Sequence, residues 1–445
     1  MSVKIAASPA ARLGWMLAAL GAVALLAPLR PELGTAAALA AAALIALAAA
    51  DGWTALRAPA ARVWVADADG RPATHLALIA GREADLRLQI ATQGPARGRL
   101  ALLASNPDLA AAVRLPEQPV PFEPGSAGPG THFRIEPRRR GRFHGLRCGL
   151  ERASRLGLWR IRSWIGIDCA LVVYPDLAAA RRQLLRSPIY RALTAAATVP
   201  LAGQGREFER LREYQPGDSY ASISWKATAR RAFPVTRVFQ WERQQELYIL
   251  LDHSQSAAPA LETMITAALL AASAAAETGD RYGLITFADG LTGWLPASSG
   301  ATHFRQCREH LARLRTLPGS PDFDRLFSAV RLRLRRRAYL LVLANLADRA
   351  LAQPFAAAAA LAAPTHLILA QSVRPEYAKP MFGSDAPPSV DAIYRALAGD
   401  RELRRLEELG RELARRGVAF RTAPAARFAL AASESYLRAK QEQRL

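Results

Sequence analysis

Apolar and polar residues alternate along this chain with three different periods, and each predicts a different architecture. Near the N-terminus, residues 13–29 and 33–50 contain no charge. Each run approaches the ~17–25 apolar residues that cross a bilayer core. A polar turn, Arg30-Pro31-Glu32, joins them. A secretory leader would show one shorter apolar core and a cleavage site, not two runs in tandem. Alanine dominates both runs and contributes little insertion energy, so a paired hairpin explains them better than independent spans. Lys4 and Arg12 precede the first run, and Arg57 and Arg62 follow the second. Positive flanks on both sides place both ends in the cytoplasm. A transmembrane helical hairpin over residues 1–57 is expected, anchoring the body of the chain at the inner (cytoplasmic) membrane.

From Arg62 to Pro175 the period shortens. Runs such as "RVWVADADG", "LRLQIAT" and "CALVVYP" are broken by Gly, Pro and Asp, the pattern of strands separated by turns. Helical character shows only near residues 106–113. A β-sandwich-like middle domain is expected over residues 58–178, with residues 138–166 forming a hairpin whose basic edge discourages aggregation. Residues 179–240 read as a linker that starts with helix at 181–187 and after Tyr190. Pro216-Gly217-Asp218 predicts a turn. Asp218 or Ser219 would cap a short helix over 221–229, with Ile223 and Trp225 on its buried face. Arg210, Arg212, Arg230 and Arg231 flank Glu207, Glu209, Glu213 and Asp218. A salt-bridged insert and an anion- or partner-binding surface both fit that composition.

Residues 241–445 alternate between unbroken apolar runs and helical periods. Strands are expected at 247–251, 282–287, 339–344 and 365–371, with a short edge strand at 291–295 and a last one in "VAFRTA". Helices are expected at 259–277, 302–314, 323–336, 350–362 and 392–416. Runs such as "LYILL" and "YLLVLA" are those of strands buried on both faces. The pattern predicts an α/β doubly wound, mostly parallel sheet.

Composition narrows the functional classes. A chain of 445 residues suits two or three units. The net charge of +21 invites a nucleic-acid partner. However, the cations are almost all arginine, with lysine only at Lys4, Lys226, Lys379 and Lys440. No basic stretch is interleaved with exposed aromatics as nucleic-acid binders require, so no nucleic acid is expected. Leu332 and Leu334 interrupt the densest run, Arg331 to Arg337, which reads as the solvated end of a helix. Attraction to anionic lipid is the remaining use for the charge. Cys148, Cys169 and Cys307 show neither metal spacing nor a disulfide framework, as expected in a reducing compartment.

The candidate chemistry lies in "LLDHSQS", where an apolar strand stops at Asp252 and is followed by Ser254 and Ser256. Ligands bind at the carboxyl ends of strands in doubly wound sheets. One carboxylate with two hydroxyls at alternate positions suits a hard cation that keeps several waters, such as Mg²⁺. The same residues also suit the cap of the next helix, and both readings stay open.

Together with "REYQPGDSYASISWKATAR", this strand end resembles the bacterial domain-of-unknown-function 58 (DUF58) family, whose second half is similar to a von Willebrand factor A domain. The resemblance also covers the paired N-terminal spans and the Arg-Arg-Gly β-region. It implies a membrane-anchored, non-enzymatic accessory protein, often associated with MoxR-type AAA+ ATPases. It further implies that Asp252, Ser254 and Ser256 match the first motif of a metal-ion-dependent adhesion site, where a partner's carboxylate completes the shell. Two departures stand out. The third loop should offer an aspartate, where this chain has Asn345, with Asp348 three residues on. The second loop should offer a threonine, where "LPGSPDFDRLF" supplies Ser320 and Asp322 and Thr302 lies farther back. The expected metal set is thus Asp252, Ser254, Ser256, Asp322 and Asn345.

Enzymatic alternatives are weaker. Asp252-His253-Ser254 has the residue types of a triad, but consecutive residues leaving a strand do not face one another. Neither GxxxxGK[ST] nor HExxH occurs. A Mg²⁺-dependent phosphoryl-transfer enzyme centred on Asp252 remains the alternative, although it would want a second aspartate where Ser254 stands.

Overall fold

The computed structural model describes residues 4–25, 31–57, 61–67, 69–91, 98–122, 130–197, 202–203, 207–215, 220, 223–231, 233–240, 245–381 and 389–442. The chain divides into two compact units, Met1–Pro175 and Asp176–Leu445.

The first unit begins with a strand, β1 (Lys4–Pro9), followed by helices α1 (Ala11–Ala24) and α2 (Pro31–Arg57). The window Gly34–Arg57 has a mean hydropathy of 1.7 with only 17% of it buried, so α2 is long and apolar enough to cross a membrane. The first apolar run is helical to Ala24, and residues 26–30 lie outside the described residues. Both N-terminal helices are apolar, as the charge-free runs predicted.

The middle of the chain is sheet-rich. A hairpin of β2 (Leu146–Ala153) and β3 (Trp159–Gly166) lies at the centre of a five-stranded sheet, between β1 on one side and Gly98–Ala104 and Val120–Phe122 on the other. Arg62–Val65, Ala84–Ala91, Thr131–Pro137 and Val113–Arg114 form a second sheet, and a three-stranded sheet is centred on Ala170–Tyr174. Alternate residues share one core, with Leu100, Cys148, Leu150 and Ile165 packing among Leu86, Leu88, Phe133 and Ile135. The short helix near residue 106 is Pro107–Ala112, capped where Asn106 Oδ1 accepts the Leu109 amide at 2.8 Å.

The sequence carries no signal for β1, because its six residues lie beside a far stronger apolar pattern. It pairs antiparallel with β3 along its whole length, Lys4 opposite Trp164 and Pro9 opposite Trp159. The chain therefore leaves for the two helices from the same sheet to which it returns after them.

In the second unit a six-stranded sheet holds β4 (Glu246–Asp252), β5 (Arg281–Phe287), β6 (Leu291–Ser298), β7 (Tyr339–Leu343), β8 (Leu367–Arg374) and β9 (Val418–Pro424). Its order is β6-β5-β4-β7-β8-β9, with every pair parallel except the edge strand β6. Leu247, Ile249 and Leu251 face helices α3 (Leu261–Glu277) and α4 (Ala301–Arg313). Tyr248 and Leu250 face the opposite layer, built from α5 (Phe323–Arg333), α6 (Arg349–Ala360) and α7 (Val390–Arg415). This is the doubly wound sheet that the unbroken apolar runs predicted.

Three features differ from expectation. The helix α8 (Ala425–Gln441) follows the last strand and packs Phe428, Ala432, Tyr436 and Leu437 into the same core as α3. Its alanines and scattered charges hide that face. Lys440 Nζ reaches the buried Asp280 carboxylate at 2.5 Å and the Thr278 carbonyl at 2.9 Å, and the Tyr436 hydroxyl also donates to Asp280. The arginine-rich helix stops at Arg333, so Arg335, Arg336 and Arg337 lie past its end. In the signature segment, Glu207–Glu213 and Val235–Gln240 pair antiparallel and the short helix is Trp225–Arg231. Ile223 is buried as expected, but Trp225 is 69% exposed. The helix begins at Trp225 itself, so the indole lies outside the face that Ile223 closes through its bridge to Thr236. Residues 216–219, with the expected turn and cap, lie outside the described residues.

Candidate metal centre at the strand ends

Asp252 is the last residue of β4, paired with Phe287 at the carboxyl end of β5, and its side chain is fully buried. Its Oδ1 accepts the Ser254 amide at 2.8 Å, the local turn that lets the chain leave the strand. Its Oδ2 is buried and has no hydrogen-bond partner. Burial pushes the carboxyl up to about 6, with the Ser254 amide and hydroxyl pulling the other way. Ser254 Oγ and Ser256 Oγ lie 2.8 Å apart. The helical turn Gln255–Ala260 and then α3 follow without any side-chain cap. Neither Asp252 nor the serines are therefore spent on capping.

Two further loops are tied to this one. The third comes through Asn345, whose Nδ2 donates to the Ser256 carbonyl at 2.8 Å, while its Oδ1 accepts the Ala347 amide only at 3.4 Å. The second comes through the Gln255 amide, which donates to the Gly319 carbonyl at 3.2 Å, and the Leu317 amide, which donates to His253 O at 2.9 Å. Asp322 lies in that loop, but both its oxygens are engaged. Oδ1 caps α5 by accepting the Arg325 amide at 2.9 Å, and Oδ2 pairs with the Arg325 guanidinium at 3.2 Å. Asp348 caps α6 through the Ala350 amide at 2.9 Å. Ser320 is exposed. Thr302 sits just past β6, whose end pairs with the start of β5, so it lies at the opposite end of the sheet from Asp252.

The donor set passes a chemical test for a hard cation, though weakly. An orphaned carboxylate oxygen and two adjacent hydroxyls are what Mg²⁺ accepts in a site that retains water. Only one formal negative charge is committed, however. Among the described residues no cluster of three His, Cys, Asp or Glu side chains is placed to hold a metal.

Sequence reasoning missed two neighbours. Asp289, just past β5, is exposed, and a Cβ on Gly319 would lie 3.8 Å from its Cβ. Its position after a strand end was the available signal. His253 is buried and wired at both nitrogens, with Nδ1 2.7 Å from the Arg315 carbonyl and Nε2 2.7 Å from Thr292 Oγ1. Thr292 continues to Thr286 at 3.0 Å and Thr286 to His310 Nε2 at 3.2 Å. Burial lowers the His310 pKa, and repulsion from His253 and Arg313 lowers it further. His253 thus braces the loop behind Asp252 and does not form a triad with it.

Comparison with known proteins agrees with the signature. Residues 210–381 match the family model described as "Protein of unknown function DUF58". The uncharacterised protein YeaD of Bacillus subtilis is 28% identical over 186 residues, covering 40% of this chain and 43% of YeaD. The uncharacterised Rv1480 of Mycobacterium tuberculosis is 28% identical over 185 residues, covering 38% of this chain and 57% of that protein. The chain thus spans about half the length of the curated relatives it matches. Among solved structures, the conserved hypothetical protein BatB of Bacteroides thetaiotaomicron is 16% identical, with a TM-score of 0.29 over 44% of this chain and 98% of BatB. Such a likeness is too slight to argue from, and the doubly wound fold stands on its own sheet order. The matched segment runs from the signature through the Asp252 strand and on past β8, and over those residues the chain is similar to the DUF58 family.

Proposed function

We propose that this protein is a membrane-anchored, non-enzymatic adaptor whose C-terminal unit binds a protein partner through a divalent cation, Mg²⁺ in the cell. One observation carries this reading: Asp252 Oδ2 is buried without a hydrogen bond beside two hydroxyls that bond to each other. A buried carboxylate left so is costly, and a cation at the strand ends would remove the cost. Asp252, Ser254 and Ser256 supply the ligands, Asn345 Oδ1 is the next available oxygen, and Asp322 joins only by leaving Arg325. With so few protein charges, a carboxylate from the partner completes the shell. Exposed Asp289 at the rim narrows which acidic segment fits. The family resemblance points to a MoxR-type AAA+ ATPase as that partner. The proposed layout is a membrane hairpin (1–57), a β-rich domain (58–178), a signature segment (179–240) and the α/β domain (241–445), with the bulk in the cytoplasm.

Calorimetric titration of the full-length protein in detergent with Mg²⁺ tests the cation, and pull-down with and without EDTA tests the partner. Saturable binding lost in Asp252→Ala supports the reading. Metal-independent capture, or no heat at millimolar Mg²⁺, would overturn it. Phosphoester turnover lost in Asp252→Asn would favour the phosphoryl-transfer alternative.

A further inference from the structure

We infer that the turn between β2 and β3, residues 154–158, is a wedge that docks into the anionic headgroup layer of the membrane leaflet where α1 begins and α2 ends. This rests on the reading of those helices as membrane spans. Depth is the first argument. Leu158 is buried against Leu13 of α1 and Ala48 of α2, with Leu44 beside it. The Ala10 amide donates to the Leu158 carbonyl at 2.8 Å, and Trp159 Nε1 donates to the Ala48 carbonyl at 2.7 Å. Leu13 opens the first charge-free run, and Ala48 lies two residues from the end of the second. Two helices thus independently place Leu158 within about one turn, ~5 Å, of the cytoplasmic rim of the apolar band.

The charge at that rim is the second argument. Asp51, the first ionisable residue after the second run, is buried by the turn. Its Oδ2 accepts the Ser154 hydroxyl at 2.5 Å and its Oδ1 the Leu156 amide at 3.1 Å. Ser154 Oγ in turn accepts the Trp159 amide at 2.9 Å, which holds the turn rigid. The Asp51 carboxylate is therefore hidden, and the described side chains exposed around the turn are cationic and apolar. Leu156 is 49% exposed at the tip, beside exposed Arg155. Exposed Arg12 and Arg160 flank it, and the Arg57 guanidinium lies 4.2 Å over the ring of Trp53, which is itself 61% exposed. An apolar tip inside a collar of arginine and tryptophan matches the headgroup level of an anionic leaflet. It is also continuous with the apolar helices that would already be in the bilayer.

Environment-sensitive fluorophores on Leu156→Cys and Leu39→Cys in the full-length protein test this, since the three native cysteines are buried. Leu39 reports α2 itself, being 73% exposed on the helix. The protein is placed in nanodiscs of equal parts phosphatidylglycerol and phosphatidylcholine, with spin-labelled lipid as quencher. We expect position 156 to be quenched several-fold more strongly by headgroup-labelled lipid than by lipid labelled deep in its chain, and position 39 the reverse. Quenching at 39 but not at 156 overturns the wedge while the spans stand, and would leave the turn to a soluble partner. No quenching at 39 overturns the spanning reading. Arg155→Gln should lower the preference of position 156 for labelled phosphatidylglycerol over phosphatidylcholine by up to about fivefold. An unchanged ratio would remove the anionic component.

Discussion

At the scale of single residues, Asp252 is where stability and the proposed cation binding conflict. Its folded carboxyl titrates near 6, above an ordinary value of 3.8. The folded state therefore holds the proton more tightly than the unfolded chain. Stability from this group is complete below 3.8 and is lost as pH rises through about 6. About two units correspond to roughly 3 kcal/mol. In EDTA, urea titrations should show the wild type losing up to that amount across this window, and Asp252→Asn losing none of it. Adding Mg²⁺ above pH 6 should restore the wild type alone. Asn345→Asp gives the converse. It sacrifices the bond to the Ser256 carbonyl but supplies the missing charge, so Mg²⁺ should bind at least about tenfold more tightly by calorimetry. A variant that bound no more tightly would place Asn345 outside the shell. The carboxylate, both serines and the Asn345 departure were legible because they follow apolar strands directly. The commitment of Asp322 to Arg325 was not, since capping and ligation ask for the same residue type.

Among the elements, the strands that read most clearly are those buried on both faces. Strands β4 and β7 announced themselves by unbroken apolar runs, whereas α8 did not, because alanines and serines dilute the Phe428, Tyr436 and Leu437 of its buried face. Besides its apolar packing, α8 is held by one buried ion pair. Lys440 and Asp280 meet at 2.5 Å, with Asp280 fully buried. Removing one partner strands a charge in the core, so Lys440→Met should cost about 3 kcal/mol in chemical denaturation of the full chain. A loss below about 1 kcal/mol would show that Thr278 and Tyr436 suffice to hold the carboxylate. Strand β5 carries a second constraint. A Cβ at Gly283 would lie 2.5 Å from Tyr248 Cε1 and 2.9 Å from the Leu295 carbonyl. Gly283→Val should therefore reduce the soluble yield sharply, while the same change at Gly279, where nothing lies within 4 Å of an added Cβ, acts only through its left-handed backbone.

For the whole molecule, β1 has the widest consequence. It makes the residues before the helices part of the sheet after them, so the proposed membrane hairpin requires the segment preceding α1 and the β-rich body to occupy one side of the membrane. Cysteines introduced at exposed Ser8 and Ser320 should both resist a membrane-impermeant maleimide in intact cells and both react once the cells are opened. Reaction at one alone would break the hairpin topology. Cutting the chain after residue 57 removes β1 as well as the helices, leaving β3 as an unpaired edge with Trp164 and Ile165 along it. That truncated protein should self-associate on size-exclusion chromatography where the full chain in detergent does not. The sequence by itself determined the apolar helices, the sheet-rich middle, the doubly wound unit and the residues of the Asp252 loop. All of these depend on local periods of burial and charge that a linear pattern records. Only the tertiary structure decided that β1 closes a sheet, that the turn after β2 hides Asp51, and that Asp252 Oδ2 has no hydrogen-bond partner. Those outcomes depend on which distant groups arrive at the same point, and no local period encodes that.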